Sequence, residues 1–218
     1  MSSQLRIKIC GVTSAADARQ AALLGADAVG LNFFAQSPRY VAPAAVESIL
    51  RELPLFVDAV GVFVNERLHE ACELAGRFGR IHTIQWHAED REPDDPFPFR
   101  LIAAFPVADQ QSLLAITRYL DQCRDVGHLP AAVLVDAQVP GRYGGTGQTA
   151  PWSLLADFRP PLPVILAGGL TPDNVAEAVR IVRPYGVDVA SGVEISPGHK
   201  DPERMRRFIG NAREAANR

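Results

Sequence analysis

Apolar and polar residues alternate along residues 5–10 with the period of a β-strand. A glycine turn follows, and either Thr13 or Ser14 can cap the helix that the spacing of the next apolar residues predicts. Alternation places Lys8 and Cys10 on one face of the strand, with Cys10 at its carboxyl end. The chain therefore opens with a predicted strand, a turn and a helix.

The same order of a short apolar run and a helical segment recurs along the chain. The runs that predict strands cover residues 5–10, 25–33, 57–64, 81–85, 99–104, 131–135, 163–167 and 187–190. Helical spacing follows each run except the fourth, where three prolines between residues 93 and 98 leave room for one helical turn at most. We therefore predict eight strand-and-helix units whose fourth helix is short or missing.

Eight such units in 218 residues allow about 27 residues for each, which is near the minimum for a strand, a helix and two turns. Strands that are apolar along most of their length and alternate with helices predict a parallel sheet covered on both faces. The most natural closure is a single (β/α)8 TIM barrel domain formed by residues 1–218, in the α/β class. An open doubly wound sheet is the alternative.

The composition narrows the class of protein. With 22% charged residues and a net charge of −3, the chain resembles neither a disordered segment nor a nucleic-acid-binding protein. Its three cysteines are scattered and form neither a disulfide framework nor a zinc motif, which favours a reducing cytoplasm. We expect no secretory signal and no membrane span, and we expect a monomer because no long apolar stripe is left for an interface.

Polar residues and glycines end most of the predicted strands. In a barrel of this kind, the carboxyl ends of the strands form one mouth, where catalysis takes place. The residues at these ends are Cys10, Asn32, Asn65, Gln85 with His87, Phe105, Asp136, Gly168 with Gly169, and Ser191 with Gly192. Any one polar turn is weak evidence, and a lone cysteine is often a small buried hydrophobe. The combination of a thiol, a carboxylate and glycine loops favours an active site.

Glycines cluster in three loops late in the chain, at residues 141–147, 167–169 and 190–192. Loops after the seventh and eighth strands, with a short extra helix, form the common phosphate site of such barrels. Glycine lets the backbone approach an anion, and free N–H groups at helix starts donate to it. A glycine can also simply end a strand tightly, but two paired sites and a third cluster favour phosphate. We predict that the 141–147 loop closes on the phosphate as a lid.

Cys10 and Asp136 stand three strands apart in a closed eight-stranded barrel and can flank a small sugar from two sides. They are candidates for a base and an acid. A free thiol needs a cationic neighbour to become a useful base, and Lys8 on the same face could supply it. Asp188 on the eighth strand is expected beside Lys8, either in the site or in a buried ion pair that only shapes the core.

Five motifs occur in a characteristic order and spacing. They are Lys8-Ile-Cys-Gly-Val-Thr13; Gly30-Leu-Asn-Phe33 with Ser37-Pro-Arg-Tyr40; Val135-Asp136 followed by Gly144-Gly-Thr-Gly147; Leu166-Ala-Gly-Gly-Leu170 with Asn174; and Gly186-Val-Asp-Val-Ala-Ser-Gly-Val-Glu194 followed by Gly198 and Lys200-Asp201. Through these motifs the chain resembles the phosphoribosylanthranilate isomerase family over essentially its whole length. The first and last motifs are together specific to that family.

The resemblance implies an Amadori rearrangement in tryptophan biosynthesis, with no cofactor and no metal. The substrate would be N-(5-phosphoribosyl)anthranilate and the product 1-(2-carboxyphenylamino)-1-deoxyribulose 5-phosphate. Asp136 would be the general acid that protonates the furanose ring oxygen, Cys10 the base that removes the C2′ proton, and Arg39 the partner of the anthranilate carboxylate. The candidate substrate-binding residues are completed by Gly144, Gly145, Gly168, Gly169, Asp188, Ser191, Gly192 and His87.

One segment departs from the pattern of the family. The family usually carries Gln-Leu-His-Gly after the fourth strand, where this chain has Gln85-Trp-His-Ala88. The proline-rich stretch that follows replaces the usual fourth helix. His87 is therefore either a residue that lines the site or an exposed loop histidine.

Other functions are compatible with parts of this pattern. A Schiff-base aldolase would need an inward lysine, and Lys8 is the candidate because Lys200, the other lysine, is expected in the last loop. A catalytically silent phosphosugar-binding barrel would keep the glycine loops but would not need both Cys10 and Asp136. A metal-dependent sugar-phosphate epimerase would need paired ligands at several strand ends, where only His87 and Asp136 offer themselves.

Overall fold

The computed structural model describes residues 4–87, 98–137 and 152–217. Eight parallel strands form a closed barrel in the order of the chain, so that the eighth strand pairs with the first. This closure confirms the predicted (β/α)8 TIM barrel and excludes the open sheet. The strands are β1 (Arg6–Cys10), β2 (Ala28–Asn32), β3 (Asp58–Val64), β4 (Ile81–His87), β5 (Arg100–Pro106), β6 (Ala132–Asp136), β7 (Val164–Ala167) and β8 (Gly186–Val189).

Helices connect the strands and cover the barrel. They are α1 (Ala15–Leu23), α2 (Pro43–Arg51), α3 (Leu68–Ala75), α4 (Gln110–Asp125), α5 (Trp152–Leu155), α6 (Val175–Val182) and α7 (Pro202–Ala216). Ser14 caps α1, since its hydroxyl accepts a 3.1 Å hydrogen bond from the Asp17 N–H. The predicted short or missing fourth helix falls on residues 88–97, which lie outside the described residues.

The barrel interior contains a buried ion pair and a separate apolar cluster. Strands β8 and β1 contribute Asp188 and Lys8, which lie opposite each other in the register of the two strands. Ile7 and Ile9 alternate with Lys8 and belong to the larger core between the strands and the helices. Strands β3, β5, β6 and β7 supply a separate apolar cluster of Val60, Ile102, Ala104, Ala132, Leu134, Ile165 and Ala167.

The chain after β8 differs from the sequence-based prediction. A short 3₁₀ helix (Ser191–Val193) leads into a hairpin of two strands, β9 (Glu194–Ser196) and β10 (His199–Lys200), where a loop was expected. Strands of three and two residues are too short to show a period in the sequence. The hairpin is therefore recognised only from the pairing of its two strands in the structure.

The amino-terminal end of the barrel, opposite the predicted site, contains an open cavity of about 720 Å³. Leu55 and Phe56 border this cavity and are 83% and 92% exposed. The pattern of apolar residues did not single out this pair, and the predicted monomer stays a prediction. In the described ranges, no helix is long and apolar enough to cross a membrane.

Candidate active site

Cys10 ends β1 at the mouth of the barrel, with 9% of its surface exposed. Lys8 faces the same way, and Gly30 on β2 leaves room for both side chains. A Cβ atom at Gly30 would lie 2.8 Å from Cys10 Sγ and 2.9 Å from Lys8 Nζ. The thiol and the ammonium therefore share a space that a side chain at Gly30 would occupy.

Asp188 holds Lys8 in place. Lys8 Nζ donates a 2.8 Å hydrogen bond to Asp188 Oδ1, and the two side chains are only 6% and 8% exposed. Burial alone would lower the pKa of the Lys8 ammonium, but the charge of Asp188 and the interactions with Cys10 outweigh burial and raise that pKa. The contact expected between the first and eighth strands is confirmed, while a role of Asp188 in substrate binding stays a prediction.

The net electrostatic effect on Cys10 differs from the expectation that a cationic neighbour would activate the thiol. Burial and the Asp188 carboxylate raise the pKa of Cys10, and the Lys8 and Lys200 ammonium groups oppose this only in part. Asp188 lies against Lys8 and offsets its charge. These effects favour the thiol form of Cys10 at neutral pH, although Lys8 acts in the predicted direction.

Asp136 ends β6 and is half-buried at the same mouth. Its carbonyl accepts a 2.9 Å hydrogen bond from the Val107 N–H, and the Ala137 N–H donates a 3.0 Å bond to the Ala167 carbonyl. The neighbouring strands thus hold the backbone around Asp136. Strands β7 and β8 separate β6 from β1, so Asp136 and Cys10 are three strands apart, as predicted.

The loops after β7 and β8 pack closely against each other. Gly168 and Gly169 have φ angles of 92° and 62°, a region that favours glycine. A Cβ atom at Gly192 would overlap the carbonyl oxygen of Leu170. Gly192 therefore lies against the backbone of Leu170, the residue that follows Gly168 and Gly169, so the two loops are as close as a shared phosphate cradle would require.

A short 3₁₀ helix and helix α6 follow these two loops in the chain. Ser191 begins the short 3₁₀ helix after β8. Helix α6 begins at Val175, later than the predicted start at Thr171, because Asn174 accepts a 2.8 Å hydrogen bond from the Thr171 N–H and holds a turn before the helix. The Asn174 amide also donates a 3.0 Å bond to the Gly169 carbonyl. The other predicted part of the cradle, Gly144 and Gly145 in the 141–147 lid, lies outside the described residues.

Arg39 approaches the mouth from the loop after β2. Its side chain passes over Gly11, where any side chain would overlap Arg39 Cδ. The guanidinium donates two hydrogen bonds to Glu194, from Nε to Oε1 at 2.8 Å and from Nη2 to Oε2 at 2.7 Å. Lys200 Nζ donates to Glu194 Oε1 at 2.7 Å and to the Cys10 carbonyl at 2.6 Å. Arg39 is thus connected to the strand that carries the thiol.

Glu194 and Lys200 are the candidate site residues that sequence reasoning missed. Both belong to the hairpin that was expected to be a loop, and they are only 5% and 3% exposed. One signal was available in the composition, since Lys8 and Lys200 are the two lysines of a chain otherwise rich in arginine. Both lysines are buried in contact with Cys10, where a compact ammonium fits and a guanidinium fork would not.

His87 is the last residue of β4 and is partly buried, so it is not an exposed loop histidine. Its Nε2 atom lies 2.8 Å from the Gln85 side-chain nitrogen. Its role in lining the site stays a prediction. Across residues 4–87, 98–137 and 152–217, no group of three or more His, Cys, Asp or Glu side chains could hold a metal ion.

The arrangement suits proton transfer on a small phosphorylated molecule. Cys10 and Asp136 offer two proton-transfer groups at separate points of one mouth. The loops after β7 and β8 lie between them in the order of the strands and suit an anion. Arg39 adds a planar cation that suits a carboxylate.

Comparisons with known proteins give a consistent result. The family model described as N-(5'phosphoribosyl)anthranilate (PRA) isomerase matches residues 7–211. A relative from Geobacter metallireducens, named N-(5'-phosphoribosyl)anthranilate isomerase, is 45% identical over 215 residues, with 96% of this chain and 99% of the relative covered. A relative of the same name from Citrifermentans bemidjiense is 43% identical over 212 residues, covering 97% and 98%.

Solved structures show the same similarity. The phosphoribosyl anthranilate isomerase from Thermotoga maritima matches with a TM-score of 0.82 and 36% identity, covering 96% of this chain and 99% of that one. A phosphoribosyl anthranilate isomerase in complex with reduced 1-(o-carboxyphenylamino)-1-deoxyribulose 5-phosphate matches with a TM-score of 0.77 and 34% identity, with the same coverage of both chains.

The electrostatics of Cys10 predict how its alkylation depends on pH. Burial and Asp188 raise the thiol pKa, so the rate of alkylation by iodoacetamide should reach half its maximum above about pH 9. Asp188→Asn removes a negative charge and should move this midpoint to lower pH. Cys10→Ser gives the background from Cys72 and Cys123, and circular dichroism at each pH confirms folding. A midpoint at or below the ordinary thiol value would contradict the prediction.

The contact between the two glycine loops predicts a specific effect of an added methyl group. Gly192→Ala forces the loop after β8 away from the Leu170 carbonyl, which should cost about 1–3 kcal/mol of stability and weaken binding of a sugar phosphate. Gly210→Ala in α7 is the matched control, because its Cβ would meet no atom within 4 Å. Thermal unfolding and calorimetry measure both effects. If the two variants had the same stability and the same affinity for the sugar phosphate, the two loops would be free to separate.

Proposed function

The chain belongs to the N-(5'-phosphoribosyl)anthranilate isomerase family, and we propose that it performs the reaction of that family with Cys10 as general base and Asp136 as general acid. The protein is an isomerase of tryptophan biosynthesis. It converts N-(5-phosphoribosyl)anthranilate into 1-(2-carboxyphenylamino)-1-deoxyribulose 5-phosphate. The related structure that holds a reduced form of this product supports a small phosphosugar as the ligand.

The rearrangement needs a proton donor at the ring oxygen and a base at C2′. Asp136 gives its proton to the ring oxygen as the bond from C1′ to that oxygen breaks, and the nitrogen lone pair forms the iminium. Cys10, after it has lost its own proton to solvent and become a thiolate beside Lys8, then takes the C2′ proton, and the electrons of that bond give a neutral enolamine. A proton added at C1′ and one lost from the C2′ hydroxyl complete the ketone. The atoms and electrons balance without an oxidant or a reductant.

The observation that carries this proposal is the position of Cys10 and Asp136 at the carboxyl ends of β1 and β6 of one barrel. A phosphate held at the loops after β7 and β8 would leave the ribose between the two groups. Lys8 supports the base, because its fixed ammonium stabilises a thiolate on Cys10 once the proton has left.

The geometry does not favour the aldolase alternative. A Schiff-base lysine must lose its proton to attack a carbonyl. Lys8 is buried against Asp188 and its pKa is raised, so it remains an ammonium. Lys200 donates to three oxygen acceptors, those of Cys10, Ala190 and Glu194, and its nitrogen is fully engaged.

The remaining proposals follow from composition and from the reaction itself. We propose that residues 1–218 form one catalytic domain that acts as a monomer in the cytoplasm, without cofactor or metal. The scattered cysteines and the moderate net charge of −3 support this setting. Activity that survives dialysis against a chelator would support the proposed chemistry.

One assay tests the function. The purified protein should abolish the anthranilate fluorescence of freshly made phosphoribosylanthranilate. A silent phosphosugar-binding barrel would bind the reduced product analogue but leave that fluorescence unchanged. The two outcomes separate an enzyme from a binding protein of the same fold.

Variants of the two proposed catalytic residues test the mechanism. Cys10→Ser keeps the shape but offers a hydroxyl that stays protonated, and Asp136→Asn cannot transfer a proton. Each should lower kcat by at least about 10²–10⁴-fold. The double variant should be little worse than the poorer single variant, because both residues serve one reaction sequence. Affinity for the reduced product analogue should survive, since neither change touches the phosphate loops. A folded Cys10→Ser variant with nearly full activity would contradict the assignment.

Variants of Arg39 test whether this residue binds the aromatic carboxylate of the substrate. Arg39→Ala should raise KM by roughly tenfold or more, the loss expected from a charge-assisted contact, with a smaller effect on kcat. Arg39→Lys should restore little, because a point charge does not reproduce a planar fork. Arg51→Ala, on the exposed end of α2, is the control. An unchanged KM for Arg39→Ala would show that Arg39 does not bind substrate.

A further inference from the structure

Glu194 holds the Arg39 guanidinium along one edge. Its two carboxylate oxygens accept from Nε and Nη2 at 2.8 Å and 2.7 Å, which is a two-point contact between planar groups. The Glu194 side chain is 4% exposed, whereas that of Arg39 is 23% exposed. The contact therefore lies along the Nε–Nη2 edge, and Arg39 keeps more exposed side-chain surface than the carboxylate that holds it.

A guanidinium has five N–H donors, of which Glu194 takes two. Within the part of the chain that the structure describes, the other three donors of Arg39 have no hydrogen-bond partner. They include both hydrogens of Nη1 and the outer hydrogen of Nη2. One hydrogen of Nη1 and the outer hydrogen of Nη2 form the end-on edge of the fork, and this pair can receive another carboxylate in the same two-point manner.

Lys200 also holds Glu194 in place. Its ammonium is fully buried and donates to Glu194 Oε1 at 2.7 Å, to the Cys10 carbonyl at 2.6 Å and to the Ala190 carbonyl at 3.2 Å. Burial would raise the pKa of Glu194, but the hydrogen bonds from Arg39 and Lys200 lower it, so Glu194 stays a carboxylate. The position of Glu194 is thus fixed relative to the ends of β1 and β8.

We propose that Glu194 is a positioning residue that occupies one edge of Arg39 so that the other edge is presented to the carboxylate of the substrate. The inference rests on the proposed role of Arg39 in carboxylate binding. Arginine is rich in rotamers, and a side chain already ordered by Glu194 loses less freedom when the ligand binds. Lys200 donates hydrogen bonds to Glu194 and to the Cys10 carbonyl. It therefore connects the carboxylate site to the strand that carries the base.

A comparison of two ligands tests the inference. The first is reduced 1-(o-carboxyphenylamino)-1-deoxyribulose 5-phosphate, and the second is the same compound without the carboxyl group. Calorimetry gives the ratio of the two affinities, which reports only on the carboxylate. The wild type should prefer the first ligand, and Arg39→Ala should abolish the preference.

Glu194→Gln is the decisive variant. It removes a negative charge near an anionic ligand, so charge alone would strengthen binding of the carboxylate. Positioning acts in the opposite direction, since a glutamine amide cannot accept from both Nε and Nη2. We expect the preference for the carboxylated ligand to fall by about tenfold, the loss of one charge-assisted hydrogen bond, with the affinity of the second ligand unchanged. An unchanged or increased preference would overturn the inference.

Controls separate this result from unfolding and from failure of the proposed function. Glu203→Gln makes the same change in an exposed ion pair with Arg206 and should leave the preference intact. If Glu194→Gln does not fold, Glu194→Asp keeps the charge but moves the carboxylate back by one methylene, and it too should lower the preference. If Arg39→Ala still prefers the carboxylated ligand, Arg39 does not bind the carboxylate and the proposed role of Arg39 is wrong. If Arg39→Ala loses this preference but the Glu194 variants keep it, only the positioning role of Glu194 is wrong.

Discussion

The pairing of β8 with β1 is the constraint on which the site depends. It closes the barrel, and its register places Asp188 opposite Lys8. Neither charge could remain in the barrel interior alone, because removing one partner of a buried ion pair typically costs about 3–5 kcal/mol. The ion pair forms only if the barrel closes in this register, and the alternation of β1 places Cys10 on the same face as Lys8 at the mouth.

A second group of charges lies at the ends of the same two strands. Lys200 donates to the carbonyls of Cys10 and Ala190 and so joins the carboxyl ends of β1 and β8. With Arg39 and Glu194 it makes a cluster of two cations and one anion. The cluster has a net charge of +1, which suits an anionic substrate. Buried charges therefore hold the strand ends together and leave a net positive charge next to the strand that carries Cys10.

The pKa values of the two buried lysines follow from their different partners. Asp188 and Cys10 raise the pKa of Lys8 despite its burial, whereas burial outweighs Glu194 and lowers the pKa of Lys200. Lys8 is thereby kept as the cation next to the thiol. Burial raises the pKa of Cys10, and Asp188 raises it further, because the carboxylate that holds Lys8 also repels a thiolate.

The sequence by itself determined the eight strands, most of the helices and the position of Cys10 and Asp136 at strand ends. Periodicity and glycine turns are local properties, and a parallel barrel follows from their repetition. Only the tertiary structure decided that the 194–200 segment forms a hairpin, that Lys200 is buried, and that burial and Asp188 outweigh Lys8 in their effect on the pKa of Cys10. The physical reason is that hydrogen bonds and charges act between residues far apart in the chain, such as Arg39 and Glu194, whose distance the sequence pattern does not contain.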